Sequence, residues 1–194
     1  MDSMEKPGTT VIKGKGGQFR WAAVTAMLLA IGAILRLVSP SIAGISPNWI
    51  IAMYCLSIIL TKPSLGRAAG IGLVAGAVSL ATSKSIFPYG NLISETVGAV
   101  ACALLVNMSV SFKFGTVNLK PAICALISTL ASGLTFTTIA KLVLSLPNTV
   151  YLYGMLPVVG TVAVINTAIT QLLYFPAYKI FANEQDAPGN EENK

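Results

Sequence analysis

Long apolar runs, separated by little more than proline, glycine and single charges, constrain this chain more than any other feature. They read Phe19 to Val38, Trp49 to Leu60, Leu65 to Thr82, Leu92 to Phe112, Pro121 to Leu146, and Tyr151 or Met155 to Phe181. A bilayer span needs about 20 predominantly apolar residues. The pattern therefore predicts an all-α membrane protein, a bundle of six transmembrane helices. The second run is the shortest; it begins near Pro47, where proline suits a first helical turn, and need not cross the hydrocarbon unaided.

Of 194 residues, 54% are hydrophobic and 10% charged, against roughly a quarter charged in a soluble domain. Six spans fill such a length and leave no room for an attached soluble domain. Three stretches result: a polar, Gly/Lys-rich N-terminal segment over 1–18, the transmembrane domain over 19–182, and a disordered acidic tail, NEQDAPGNEENK, over 183–194. The first run is too long for a signal-peptide core and lacks a small-residue cleavage pattern, so it is expected to be retained.

The net charge of +6 comes from residues scattered singly, without the aromatic-interleaved stripe of a nucleic-acid surface. Topology accounts for them better. With the N-terminus cytoplasmic, Lys6, Lys13, Lys15, Arg20, Lys62, Arg67, Lys113, Lys120, Lys179 and Lys194 fall inside, and only Arg36, Lys84 and Lys141 outside. Both termini are thus expected in the cytoplasm. The absence of histidine removes His-based triads, most catalytic zinc sites and haem axial pairs. Cys55, Cys102 and Cys124 lie inside apolar runs without CxxC spacing and read as small core residues, so neither metal nor cofactor is implied.

Inner connections are short and basic, whereas the outer ones are rich in Pro, Gly, Asn and aromatics: SPSIAGISPNW, SKSIFPYGN and SLPNTVYLYG. A binding site is expected there, on loops held by a rigid scaffold. Glu95 is the one acid in the apolar region and must face the bundle interior, water or a cation. Asn91 lies four residues earlier on the same helix face. Arg36 and Lys141 fall at a similar depth. Together they either clasp a ligand bearing an ammonium and a carboxylate, or form a structural pair with snorkelling near the interface.

Trp49, Phe87, Tyr89, Tyr151 and Tyr153 mark the same end, as an interfacial belt or as walls for a planar ring. In the sixth run Asn166, Thr167, Thr170, Gln171 and Tyr174 form a polar stripe. Gln171 and Tyr174 suit interhelical hydrogen bonding, and Asn166 suits the floor of an outward-facing pocket. Ala22, Ala26, Ala30 and Ala33 of the first run, and Gly66, Gly70, Gly72 and Gly76 of the third, offer small-residue packing faces. For the glycines the expected partner is the bundle itself; for the alanines the sequence leaves the partner open.

AMLLAIGAIL (26–35), SPSIAGISPNWIIAMYCLSIIL (39–60), FPYGN (87–91), LPN (146–148) and INTAITQLLYFP (165–176) resemble the substrate-binding components of energy-coupling-factor transporters. Within that class they resemble the bacterial tryptophan transport proteins, over roughly 21–181. It implies a substrate-binding six-helix domain with an outer pocket for a tryptophan-like solute, for which Trp49, Asn91, Glu95, Lys141, Tyr151, Asn166 and Arg36 are the candidate residues. It also implies docking through Ala26 and Ala30 onto a membrane-embedded coupling subunit driven by two ATPase subunits. No GxxxxGK[ST] loop occurs here, so ATP hydrolysis would fall to those partners. Rival readings are a vitamin-binding component of the same class, a small membrane enzyme, and a self-sufficient carrier.

Overall fold

The structure, a computed structural model, describes residues 19–40, 47–83, 85–108, 113–114 and 117–182. Its helices are α1 Arg20–Val38, α2 Trp49–Thr61, α3 Leu65–Thr82, α4 Gly90–Asn107, α5 Lys120–Val143 and α6 Leu156–Ala182. A π-helical turn, Val150–Met155, leads into α6, and both starting points expected for the last span, Tyr151 and Met155, fall within it. Two-residue strands, β1 Lys113–Phe114 and β2 Val117–Asn118, pair antiparallel between α4 and α5. The expectations for 1–18, 183–194 and Lys84 lie outside the described residues.

Among the described residues five segments, α1, α3, α4, α5 and Val150–Phe181, are long and apolar enough to cross a membrane. Helix α2 has 13 residues, about 20 Å at 1.5 Å per residue, short of a hydrocarbon core of about 30 Å. Its tolerance follows from its place. Every residue from Ile50 to Ile58 is buried, and α2 touches all five other helices. A helix that is apolar all round belongs inside a bundle, and this one is sheathed by protein rather than lipid. It stops where Lys62 takes a left-handed conformation (φ 45°), its N–H donating to the Ile58 carbonyl at 2.9 Å, and Pro63 follows.

Helix α3 lies against α4 through two of its four glycines. A Cβ on Gly72 would fall 2.6 Å from Thr96 Cα, and one on Gly76 2.7 Å from Leu92 Cα; only glycine permits that approach. Gly66 and Gly70 have nothing within 4 Å, so half of the expected face packs within the bundle. Helix α1 buries Val24, Thr25, Leu28, Leu29 and Gly32, with a hydroxyl–hydroxyl bond of 2.5 Å from Thr25 to Ser57 of α2. Ala23, Ala26, Met27 and Ala30 are exposed on its opposite side.

Cations sort to the two ends as the charge pattern predicts. Arg20 donates to the Phe181 carbonyl, Arg67 lies 5.5 Å over the Trp21 ring, and Lys120 Nζ donates to the Val106 and Met108 carbonyls at 2.9 Å. These join the start of α1, α3 and α5 to the end of α6 and α4, at the basic end. Arg36 and Lys141 lie at the other. Cys55, Cys102 and Cys124 are free and buried in one apolar cluster.

Candidate functional site

Pro88 and Tyr89 turn the chain into α4, where Asn91 Nδ2 donates to the Pro88 carbonyl at 2.8 Å. Helical spacing then places Asn91, Ser94, Glu95 and Gly98 on the buried face of α4. Glu95, 1% exposed, is the sole acidic residue among the described residues. Asn48 Nδ2 and the Ser79 hydroxyl donate to its Oε1 at 3.1 and 3.4 Å, and the Ser132 hydroxyl to its Oε2 at 3.1 Å. Such donors are what an ionised carboxylate needs at this depth.

Arg36, in the last turn of α1, sends Nη1 to Asn48 Oδ1 and to Ser79 Oγ, both at 3.2 Å. Two parallel relays therefore run from guanidinium to carboxylate, through the Asn48 amide and the Ser79 hydroxyl. No direct Arg36–Glu95 ion pair forms. The opposite charges share a site yet do not neutralise each other by contact.

A cavity of about 450 Å³ opens on this arrangement, within the usual range for small-molecule sites of about 300–1,000 Å³. Arg36, Asn48, Asn91, Ser94, Glu95 and Ser132 line it together with the apolar Ile51, Phe136, Met155, Val158, Val159 and Val162. Gly133, also on the wall, lets α6 close in, since a Cβ there would fall 2.7 Å from a Val159 methyl. The site thus combines two charged groups and several polar ones with an apolar lining.

Among the residues singled out from the sequence, Arg36, Asn91 and Glu95 meet on this wall. Asn166, fully buried, stands one layer behind it: its Oδ1 accepts from the Asn48 N–H at 3.1 Å and its Nδ2 donates to Thr129 Oγ1 at 3.3 Å. Trp49, Lys141 and Tyr151 lie outside the lining. Trp49 Nε1 donates to the Ser39 hydroxyl at 2.7 Å. Lys141 Nζ sits 4.9 Å over the Tyr151 ring, whose hydroxyl bonds Thr138 at 3.1 Å; together they tie the π-turn, with Gly154 and Met155 of the cavity lining, to the end of α5.

The aromatic lining residue is Phe136 rather than any of the five outer-loop aromatics. Tyr89 and Tyr153 are exposed. Gln171 does link helices, accepting from the Ala122 N–H at 3.1 Å and donating to the Asn118 carbonyl at 2.9 Å. Sequence reasoning missed Asn48, Ser79, Ser132 and Phe136. A signal existed for two of them: Ser128, Ser132 and Phe136 recur every four residues in α5, a polar-then-aromatic stripe within an apolar run.

Fold and cavity together define a multi-pass membrane protein built around a solute-sized site at one end of its helix bundle. Residues 19–181 match the family model described as "Tryptophan transporter TrpP", and the chain belongs to that family of membrane transporters; it is not an enzyme. It is 28% identical over 154 residues to a protein of Bacillus subtilis (strain 168) named as a probable tryptophan transport protein, covering 79% of this chain and 87% of that one. A protein of Clostridium perfringens (strain 13 / Type A) with the same name is 30% identical over 163 residues, 78% of this chain and 87% of the relative. No solved structure gives a significant match.

Proposed function

We propose that this chain is the substrate-binding subunit of an energy-coupling-factor importer for tryptophan, which binds in the Arg36–Glu95 cavity. The ammonium group lies on Glu95, the carboxylate on Arg36, and the indole among Ile51, Phe136, Met155 and the valines of α6. One observation carries this reading: Asn48 and Ser79 keep a guanidinium and a carboxylate apart inside one cavity, which presents two separate charges to a zwitterion instead of a closed pair. A bidentate guanidinium–carboxylate contact adds orientation as well as strength. The names of the relatives support the choice of amino acid.

The cavity lies at the cation-poor end of the bundle, which the positive-inside rule assigns to the outer face. Both termini are then cytoplasmic. Coupling to a membrane-embedded subunit and two ATPases is supported by the small-residue face of α1, where Ala26 and Ala30 are exposed and leave room for a foreign helix backbone.

Calorimetric titration of the purified, detergent-solubilised chain with tryptophan tests the substrate, with phenylalanine, thiamine, riboflavin and biotin as controls. Selective tryptophan binding is expected. Binding of a vitamin alone would overturn the substrate but keep the class, and binding of none would overturn both.

A further inference from the structure

We propose that Ser94 selects the indole ring, its hydroxyl oxygen accepting the ring N–H of the bound ligand. This rests on the tryptophan reading above and adds a specificity-determining residue to it. Ser94 is 1% exposed, lines the cavity, and its Oγ has no hydrogen-bond partner. Leaving such a group unsatisfied costs about 1–3 kcal/mol, and the exceptions in a native structure call for a cause.

The contrast within the chain is sharp. Hydroxyls on these helices ordinarily return to the carbonyl four residues back, as those of Thr25, Thr96, Thr135 and Thr167 do. Ser94 makes no such bond. The other hydroxyls on the cavity wall, including those of Thr129, Ser132 and Thr137, each have a partner. Thr170, the other buried hydroxyl without one, lies off the cavity. So among the described residues Ser94 is the one cavity-lining residue whose hydroxyl is left unsatisfied.

Tryptophan has one polar atom left once its ammonium and carboxylate are placed, and it is a donor. Ser94 and Glu95 both lie on the buried face of α4 and both line the cavity, so a ligand whose ammonium rests on Glu95 has its ring within reach of Ser94. A hydroxyl oxygen with two lone pairs and no other donor to serve is the complementary group. Phenylalanine, which fits the apolar wall as well, would leave it unpaired.

The test compares tryptophan with β-(3-benzothienyl)alanine, which replaces the ring N–H by sulfur and keeps the shape, on the wild-type chain and on Ser94→Ala. Wild type is expected to prefer tryptophan by about tenfold, the worth of one buried hydrogen bond. Ser94→Ala should lose that preference by binding tryptophan more weakly while holding the benzothienyl analogue as before, which also reports an intact fold. An unchanged preference in Ser94→Ala overturns the proposal. Equal, tight binding of both ligands by wild type overturns it too and leaves the tryptophan reading standing, whereas binding of neither removes both.

Discussion

Asn48 Nδ2 donates to Glu95 Oε1 at 3.1 Å, while the other end of the same amide accepts from Arg36 at 3.2 Å. A side chain from the loop before α2 thus sits between the two charges of the cavity and satisfies both. Ser79 of α3 repeats the arrangement with a hydroxyl. An amide is suited to this place because it carries a donor and an acceptor and no charge.

Removing the spacer should close the gap. In Asn48→Ala the guanidinium and carboxylate are freed to pair directly, and tryptophan must then break that pair to bind. Affinity is expected to fall by about tenfold or more, because hydrogen bonds to charged groups are worth about 1.5–3 kcal/mol. Titration calorimetry on the purified variant measures it. An unchanged Kd would mean that the spacing of the charges is irrelevant to binding.

The two charges should be separable by ligand. Glu95→Gln is expected to weaken tryptophan binding by about 10- to 100-fold, the range for a charge-assisted bond, yet to leave indole-3-propionate, which lacks the amine, nearly untouched. Arg36→Met should do the converse with tryptamine, which lacks the carboxylate. Competition against bound tryptophan gives all four numbers. Loss of every ligand in either variant would point to a structural ion cluster rather than to ligand recognition.

Lys141 provides a contrast. It shares an end of the bundle with Arg36 but stacks on Tyr151 at 4.9 Å, a contact worth about 0.5–1 kcal/mol where exposed. Lys141→Ala is expected to change tryptophan affinity by no more than about fivefold, through a looser π-turn beside the cavity. A loss of a hundredfold would place the ammonium on the ligand instead.

Two glycines on one helix allow an internally controlled stability test. Gly76→Ala forces a Cβ to within 2.7 Å of Leu92 Cα and the Asn91 carbonyl, backbone that cannot step aside. A destabilisation of about 1–3 kcal/mol is expected, as for other overpacked sites. Gly70→Ala meets nothing within 4 Å and gains helix propensity, so it should be neutral or slightly stabilising. Thermal unfolding in detergent ranks the pair, and equal midpoints would refute the tight α3–α4 contact.

Span number and order were legible because membrane insertion imposes a length and a hydropathy that short loops cannot disguise. The weakest span, α2, was short for a reason the sequence could not express: its enclosure is a property of five other helices. The acid was equally legible, since one carboxylate in an apolar region has few places to go. Its partners were not. Asn48 lies in a loop whose path depends on α1 and α2 packing, and the serines of α3 and α5 look like ordinary span residues until the helices are brought together. Proximity along the outer end suggested Lys141 and the loop aromatics, but rotation about each helix axis decides what faces inward, and that rotation comes from packing.

The exposed face of α1 yields the sharpest separation of binding from transport. Val24, Leu28 and Leu29 anchor the helix to the bundle, so a change at Ala26 or Ala30 on the opposite side leaves the cavity alone. Ala26→Leu and Ala30→Leu should therefore bind tryptophan with wild-type affinity and unchanged melting temperature. A helix of a coupling subunit seated on that face needs close backbone approach, which leucine prevents. Uptake of labelled tryptophan by cells expressing the complete transporter should then fall at least tenfold for the double variant. Full uptake with both leucines in place would show that this face meets only lipid and that any coupling partner docks elsewhere.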